Sequence, residues 1–105
     1  MDLAQLERGL AAFSVLSPTA FPVHHAQVFL LIASQEPLSY RQVEEALSLD
    51  NGTVSRVVAA LGSEHWRGYP GHGLVETYRD PAEGRRFLVR LTAKGRAMVR
   101  QLQAI

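Results

Sequence analysis

The sequence has no cysteine, which excludes disulfide staples, thiolate metal sites and thiol redox chemistry. No apolar run approaches the roughly 18–20 residues of a membrane-spanning helix. The opening stretch, MDLAQLERGLAAF, carries an acid where a secretory signal carries positive charge, and it is amphipathic; the expected location is therefore the cytoplasm. Lysine is nearly missing too. Of the eleven basic side chains ten are arginine, the cation suited to bidentate phosphate contact.

At 105 residues, with 47% hydrophobic and 20% charged side chains, the chain suits one globular domain, residues 1–105, with a modest core. The net charge of +1 is uninformative, but its distribution is not. Residues 1–50 hold six acids against two arginines, and residues 51–105 hold nine bases against four acids. A basic half of this kind is the footprint of a small DNA-binding domain.

Leu3, Leu6, Leu10, Phe13 and Leu16 follow the three-to-four spacing of one helical face, so a helix is expected over 2–16. Pro18 and Pro22 break the chain in SPTAFP, and a second helix is expected over 23–34, with Val28, Leu31 and Ile32 inward. Ser39 followed three residues later by Gln42 forms a capping box for a third helix, YRQVEEAL, burying Val43, Ala46 and Leu47. SLDNG is a turn. TVSRVVAAL is a fourth helix, capped by Asp50 or Asn51, with Val54, Val57, Val58 and Leu61 on one face. GSEHWRGYPGHG, with four glycines and a proline, cannot be regular structure. GLVETYRD and RFLVRLT alternate as strands around a turn containing Pro81, Gly84 and the pair Arg85 and Arg86. Thr92 caps a last helix that runs to the C-terminus.

Two short helices joined by a tight turn, then a hairpin with a basic tip, describe a winged helix-turn-helix: mainly α with a small β wing, in the order α-α-α-α-β-β-α. A recognition helix must bury one face and offer the other to base edges in the major groove. With its valines buried, the fourth helix offers Asn51, Gly52, Thr53, Ser55 and Arg56 near its start. After Asp50 this face carries no acid, as a surface meeting phosphates requires.

The stretches LSLDNGTVSRVVAAL and GLVETYRDPAEGRRFLVRLTAKG resemble the DNA-binding core of the MarR (multiple antibiotic resistance regulator) family of winged-helix transcription factors, over roughly residues 24–96. The matching elements are the Thr53-Val-Ser-Arg-Val run, Gly73-Leu-Val, Asp80 with Arg85 and Arg86, and Leu91-Thr-x-x-Gly95. The resemblance implies that the helix at 53–62 enters the major groove and that Arg85 or Arg86 reaches the minor groove or its phosphates. It also implies that Ser39, Tyr40, Arg41 and Gln42 sit near the DNA backbone, and that Asp80 braces the wing by pairing with an arginine. Two departures from the family stand out: an insert at 65–72, and only about fourteen residues after Leu91, where family members carry long helices that build the dimer.

The expected partner is double-stranded DNA, bound by a homodimer. The terminal helices, 2–16 and 92–105, are its expected contacts, because a three-helix core with a wing cannot cover all of their apolar residues. Other chemistry finds little support. His24, His25, His65 and His72 show no helical spacing for zinc, so no metal or other cofactor is expected. Ser55 has no histidine placed to activate it, and nothing points to an enzyme. Trp66 and Tyr69 in the insert are expected to fold back over the core. A second class of function stays open: a winged-helix module that binds proteins of the replication or transcription machinery through its acidic half or its aromatic insert. Any small-molecule effector, the operator and the sign of regulation are not legible.

Overall fold

The computed structural model describes residues 1–17 and 19–105; the expected break at Pro18 lies outside the described residues. In chain order the elements are α1 (Leu3–Ser14), α2 (Val23–Gln35), β1 (Leu38–Ser39), α3 (Tyr40–Leu47), α4 (Asn51–Leu61), β2 (Val75–Arg79), β3 (Phe87–Leu91) and α5 (Ala93–Gln103). The architecture is a winged helix, five helices with a three-stranded antiparallel sheet ordered β1-β3-β2. The expected order lacked β1. Two residues carry no legible period, and this strand exists because β3 offers it a partner: Leu38 faces Val89 and Ser39 faces Leu88.

Capping decides where the helices begin. Asp2, Ser39, Asp50 and Thr92 each accept a hydrogen bond from the backbone N–H three residues on, and Asp2 and Ser39 complete reciprocal boxes with Gln5 and Gln42. Each such cap is worth about 1 kcal/mol. Because Asp50 is the cap, α4 starts at Asn51 rather than at Thr53. Between α3 and α4 the chain reverses at Ser48, in the left-handed conformation at φ 55°, and the Leu49 N–H returns to the Glu44 carbonyl at 3.1 Å.

The core is one cluster. Val28, Phe29 and Ile32 of α2, Val43 of α3, and Val54, Val57, Val58 and Leu61 of α4 pack with Leu74, Val75, Val89 and Leu91 from the wing. Ala46 does not join it; it is exposed, and Leu47 is half-buried. The inward face of α3 is set by Tyr40, Val43 and Leu47, three and four apart, and Ala46 lies at its edge. Only the far end of α1 is packed: Phe13 is buried against Phe21 and Phe29, with ring centroids 5.5 and 5.8 Å away. Leu3, Leu6 and Leu10 are left 85, 48 and 51% exposed. One polar contact ties α1 to the other terminus, Gln5 Nε2 donating to the Ile105 carbonyl at 3.2 Å.

The insert is an excursion from the end of α4. The last carbonyls of a helix have no partner within it. Here His72, Leu74 and Gly73 return N–H groups to the carbonyls of Ala60, Leu61 and Gly62 at 3.0, 2.8 and 2.9 Å. Gly71 must pass so close that a Cβ there would collide with the Gly62 carbonyl oxygen. With its backbone committed to α4, the insert turns its aromatic rings outward: Trp66 and Tyr69 are 50 and 53% exposed and do not fold over the core as expected. They pack locally, Tyr69 stacked on His65 at 4.2 Å and Arg67 over the Trp66 ring at 4.6 Å. Among the described residues no helix is long and apolar enough to cross a membrane.

Gly95 explains the Leu-Thr-x-x-Gly signature. A Cβ there would collide with the Leu74 carbonyl oxygen, while Thr92 reaches both Gly73 O, donating at 2.6 Å, and Gly95 N–H, accepting at 3.0 Å. Gly95→Ala is expected to destabilise the fold by about 1–3 kcal/mol, the usual cost of overpacking. Gly9→Ala, where a Cβ meets nothing within 4 Å, is expected to be neutral or stabilising. Chemical unfolding of both variants measures the contrast.

Candidate nucleic-acid interface

The wing tip is organised by one carboxylate. Asp80 is 5% exposed, and its Oδ2 accepts from Arg86 Nε at 2.6 Å while its Oδ1 accepts from Ala82 N–H at 2.9 Å. Its backbone takes part as well: Asp80 N–H donates to Arg86 O, and its carbonyl accepts from Glu83 N–H. The Arg86 hydrogen bond, then that of Ala82, holds the Asp80 carboxyl below the usual carboxylate range, so the pair is ionised at neutral pH. Arg79 adds a second tie, donating to Gly84 O at 2.7 Å and lying over Phe87 at 5.1 Å. The two arginines therefore differ. Arg86 is the internal partner of Asp80, with Glu83 3.6 Å away as a weaker contact. Arg85 is exposed and has no ion pair among the described residues.

The start of α4 is also pre-set. Asn51 donates to Glu44 Oε2 at 3.2 Å, linking α4 to α3. Arg56 lies back along the first turn, its Nη2 3.5 Å from Thr53 Oγ1. A Cβ on Gly52 would sit 3.1 Å from Arg56 Nη1, so the glycine leaves room for the guanidinium. Ser55 and Thr53 are half-buried and Asn51 and Arg56 exposed, with Val54, Val57 and Val58 on the buried side. The face offered outward thus carries one cation and short polar groups; Glu44 touches it through Asn51.

At the start of α3 the candidates separate. Ser39 is buried, its hydroxyl held by Gln42 N–H at 3.2 Å and its own N–H by Gln42 Oε1 at 2.8 Å. Its side chain cannot meet a DNA phosphate directly; it sets the start of α3 instead. Gln42 keeps only its amide NH₂ free. Tyr40 is half-buried against the core, and burial raises its phenol pKa. Arg41 is exposed and pairs with Glu45 at 3.1 Å, a surface contact worth little that can be exchanged. The pairing of β1 with β3 brings this helix start beside the wing strand, with Ser39 opposite Leu88.

The histidines gather elsewhere, near the insert and α2, and no group of three or more His, Cys, Asp or Glu could hold a metal among the described residues. The sequence reading missed Arg79 as a wing tie. Its position at the last residue of β2, five before Gly84, was the available signal.

No protein-family model and no curated protein matches the chain. Solved structures do. The PcaV transcriptional regulator of Streptomyces coelicolor, solved with its natural ligand, is 32% identical over 99% of this chain and 74% of its own, with a TM-score of 0.62. The chain belongs to the MarR family of transcriptional regulators. Bordetella bronchiseptica BpsR, whose DNA binding is regulated by 6-hydroxynicotinic acid, is 26% identical over 96% of this chain and 67% of its own, at a TM-score of 0.66. A mutant MarR from E. coli solved with operator DNA shares the fold at a TM-score of 0.68 and 24% identity, covering 96% of this chain and 67% of its own. The chain thus spans about two thirds to three quarters of the MarR-family proteins it matches.

Within this MarR-family wing, Asp80→Asn is expected to loosen the tip without unfolding the domain. Hydrogen exchange should speed at the amides of Ala82, Glu83 and Arg86, while amides of α2 and α4 keep their protection. Arg85→Ala should leave all of these unchanged.

Proposed function

We propose that this chain is a sequence-specific regulator that binds double-stranded DNA as a homodimer, most simply a repressor that occludes a promoter. The observation that carries the reading is the division of labour in the wing. Burying Asp80 to hold Arg86 fixes a tip on which Arg85 is exposed, with no ion pair among the described residues. In the proposed complex α4 enters the major groove, with Asn51 and Arg56 reading bases and Thr53 and Ser55 making shorter contacts. Arg85 meets the minor groove or its phosphates, Arg86 supports it, and Tyr40, Arg41 and Gln42 approach the backbone. The operator DNA bound to the E. coli MarR mutant supports this docking. The chain acts as a single domain over 1–105, without catalysis, in the cytoplasm.

Dimerisation follows from the unpacked face of α1. Leu3, Leu6 and Leu10 are too exposed to be left to water on a helix whose other large apolar residue, Phe13, is buried. A second copy would cover them together with α5, within reach through Gln5 and Ile105. Two-fold symmetry then sets two α4 helices about one DNA turn apart, roughly 34 Å. The exposed Trp66 and Tyr69 favour a second reading, a module that docks on a protein through the insert.

Sedimentation of the protein with fluorescent duplex, across salt concentrations, separates the two readings. The first expects a free mass of twice the 11.6 kDa chain and an affinity that falls steeply with salt. Arg85→Ala should weaken binding to every duplex and lower the salt slope by about one, one counterion per lost phosphate contact. Arg56→Ala should instead relax preference at one base position, by on the order of 1–3 kcal/mol. A salt-independent affinity, or none, contradicts the reading.

A further inference from the structure

On the side of α4 away from its first turn, the insert, the segment before α2 and the start of α5 enclose an open cleft of about 830 Å³. Its wall holds His25, His65, His72 and Lys94, and among the described residues no carboxylate lines it. Phe21 forms a floor between two of the imidazoles, with its ring 5.8 Å from His25 and 5.3 Å from His72. His65 stacks on Tyr69, and its Nδ1 accepts the Arg67 N–H at 3.1 Å, so the neutral ring carries its proton on Nε2 and can donate from there. Lys94 Nζ is held at the cleft by the His72 carbonyl, 2.8 Å away.

Four basic groups around one cavity, with no acid to balance them, repel one another. His25 shows the consequence: burial first, then the charges of His24, His72 and His65, lower its pKa from 6.5 to about 4. Burial and Lys94 lower that of His72 in the same direction. An anion in the cleft offsets the repulsion among these groups and favours their charged forms against the cost of burial. The donor types decide which anion. Imidazole N–H and ammonium groups are single-point donors, here on α2, the insert and α5, and among the described residues no guanidinium fork lines the cleft to grip a planar carboxylate. A tetrahedral oxyanion takes several such donors at once, and the Phe21 and Tyr69 rings leave apolar wall for an organic body.

We propose that this cleft is a binding site for a small phosphate monoester, and that binding takes up protons onto its histidines. Every group facing His25 and His72 across the cleft, namely His65 and Tyr69 of the insert and Lys94 of α5, together with His24 beside His25 on α2, is cationic or neutral when the anion arrives. The bound charge therefore pulls the His25 and His72 pKa values back up, and the complex holds more protons than its parts near pH 6.5. The site is independent of DNA binding, being built by residues outside the wing and the first turn of α4.

Calorimetry of the full chain at pH 6.5 with phenyl phosphate, inorganic phosphate and benzoate tests it, each titration run in two buffers of different ionisation enthalpy. Phenyl phosphate should bind more tightly than either other probe, with a buffer-dependent heat that reports proton uptake. The imidazole resonances of His25 and His72 should titrate at higher pH in its presence. Lys94→Met, at an exposed position, should weaken binding on the order of tenfold or more, the usual effect of losing a charged hydrogen bond. His25→Gln and His72→Gln together should abolish most of the proton uptake. Benzoate binding as well as phenyl phosphate, heats that do not depend on buffer, or an affinity untouched by Lys94→Met would each overturn the proposal. Equal affinity for inorganic phosphate would reject the ester body.

Discussion

Strand β3 is the constraint on which the other elements depend. It is hydrogen-bonded along both edges, to β2 through five residue pairs and to β1 through two. One edge leads back to the end of α4, because β2 follows the insert that satisfies the last carbonyls of that helix. The other edge carries Leu38 and Ser39, and Ser39 is the cap that starts α3. Glu36 adds a side-chain tie, accepting the Leu91 N–H at 3.0 Å. The two helices of the helix-turn-helix and the wing are thereby referred to one strand, whose Val89 is fully buried in the common core. Two recognition elements on a rigid support can meet a duplex with little ordering cost.

Burial along the hairpin explains how the wing divides its arginines. Val75, Val89 and Leu91 are buried near the core, but at the far end Phe87 is 44% exposed, so apolar packing can no longer hold the strands together. Polar ties replace it there. A buried carboxylate needs a cation and several donors, and Arg86, with the Ala82 amide, supplies them. Arg85, adjacent in sequence, is exposed and makes no ion pair among the described residues. Two neighbouring identical residues thus differ in their surroundings, because Arg86 alone of the two pairs with Asp80.

The helices and the wing strands were legible because the sequence writes them in periodicity and caps. The third helix matches its expected span, 40–47, since Ser39 and Gln42 mark its start and SLDNG its end. The strand β1 was not legible, since its pairing depends on a partner fifty residues away and leaves no local pattern. The candidate interface was legible as a set of residue types but not as a set of roles. Only packing shows that Ser39 is buried, that Arg86 is internal while Arg85 is free, and that Asn51 is held by Glu44. The outward rings of the insert were missed for a related reason. Trp66 and Tyr69 read as core material by type, but the hydrogen bonds that tie 71–74 to α4 decide where the loop can lie.

The central claim is that the start of α4 and the wing tip form one DNA-facing surface, with the insert at the opposite end of α4. Backbone amide chemical shifts, followed by NMR as a duplex is added to the whole chain, test it directly. The account predicts that the amides of Asn51, Thr53 and Arg56 and those of Glu83, Arg85 and Arg86 shift together, at the same duplex concentration, while Trp66 and Tyr69 stay in place. Shifts centred on Trp66 and Tyr69, with the first turn of α4 and the wing tip unmoved, would contradict it.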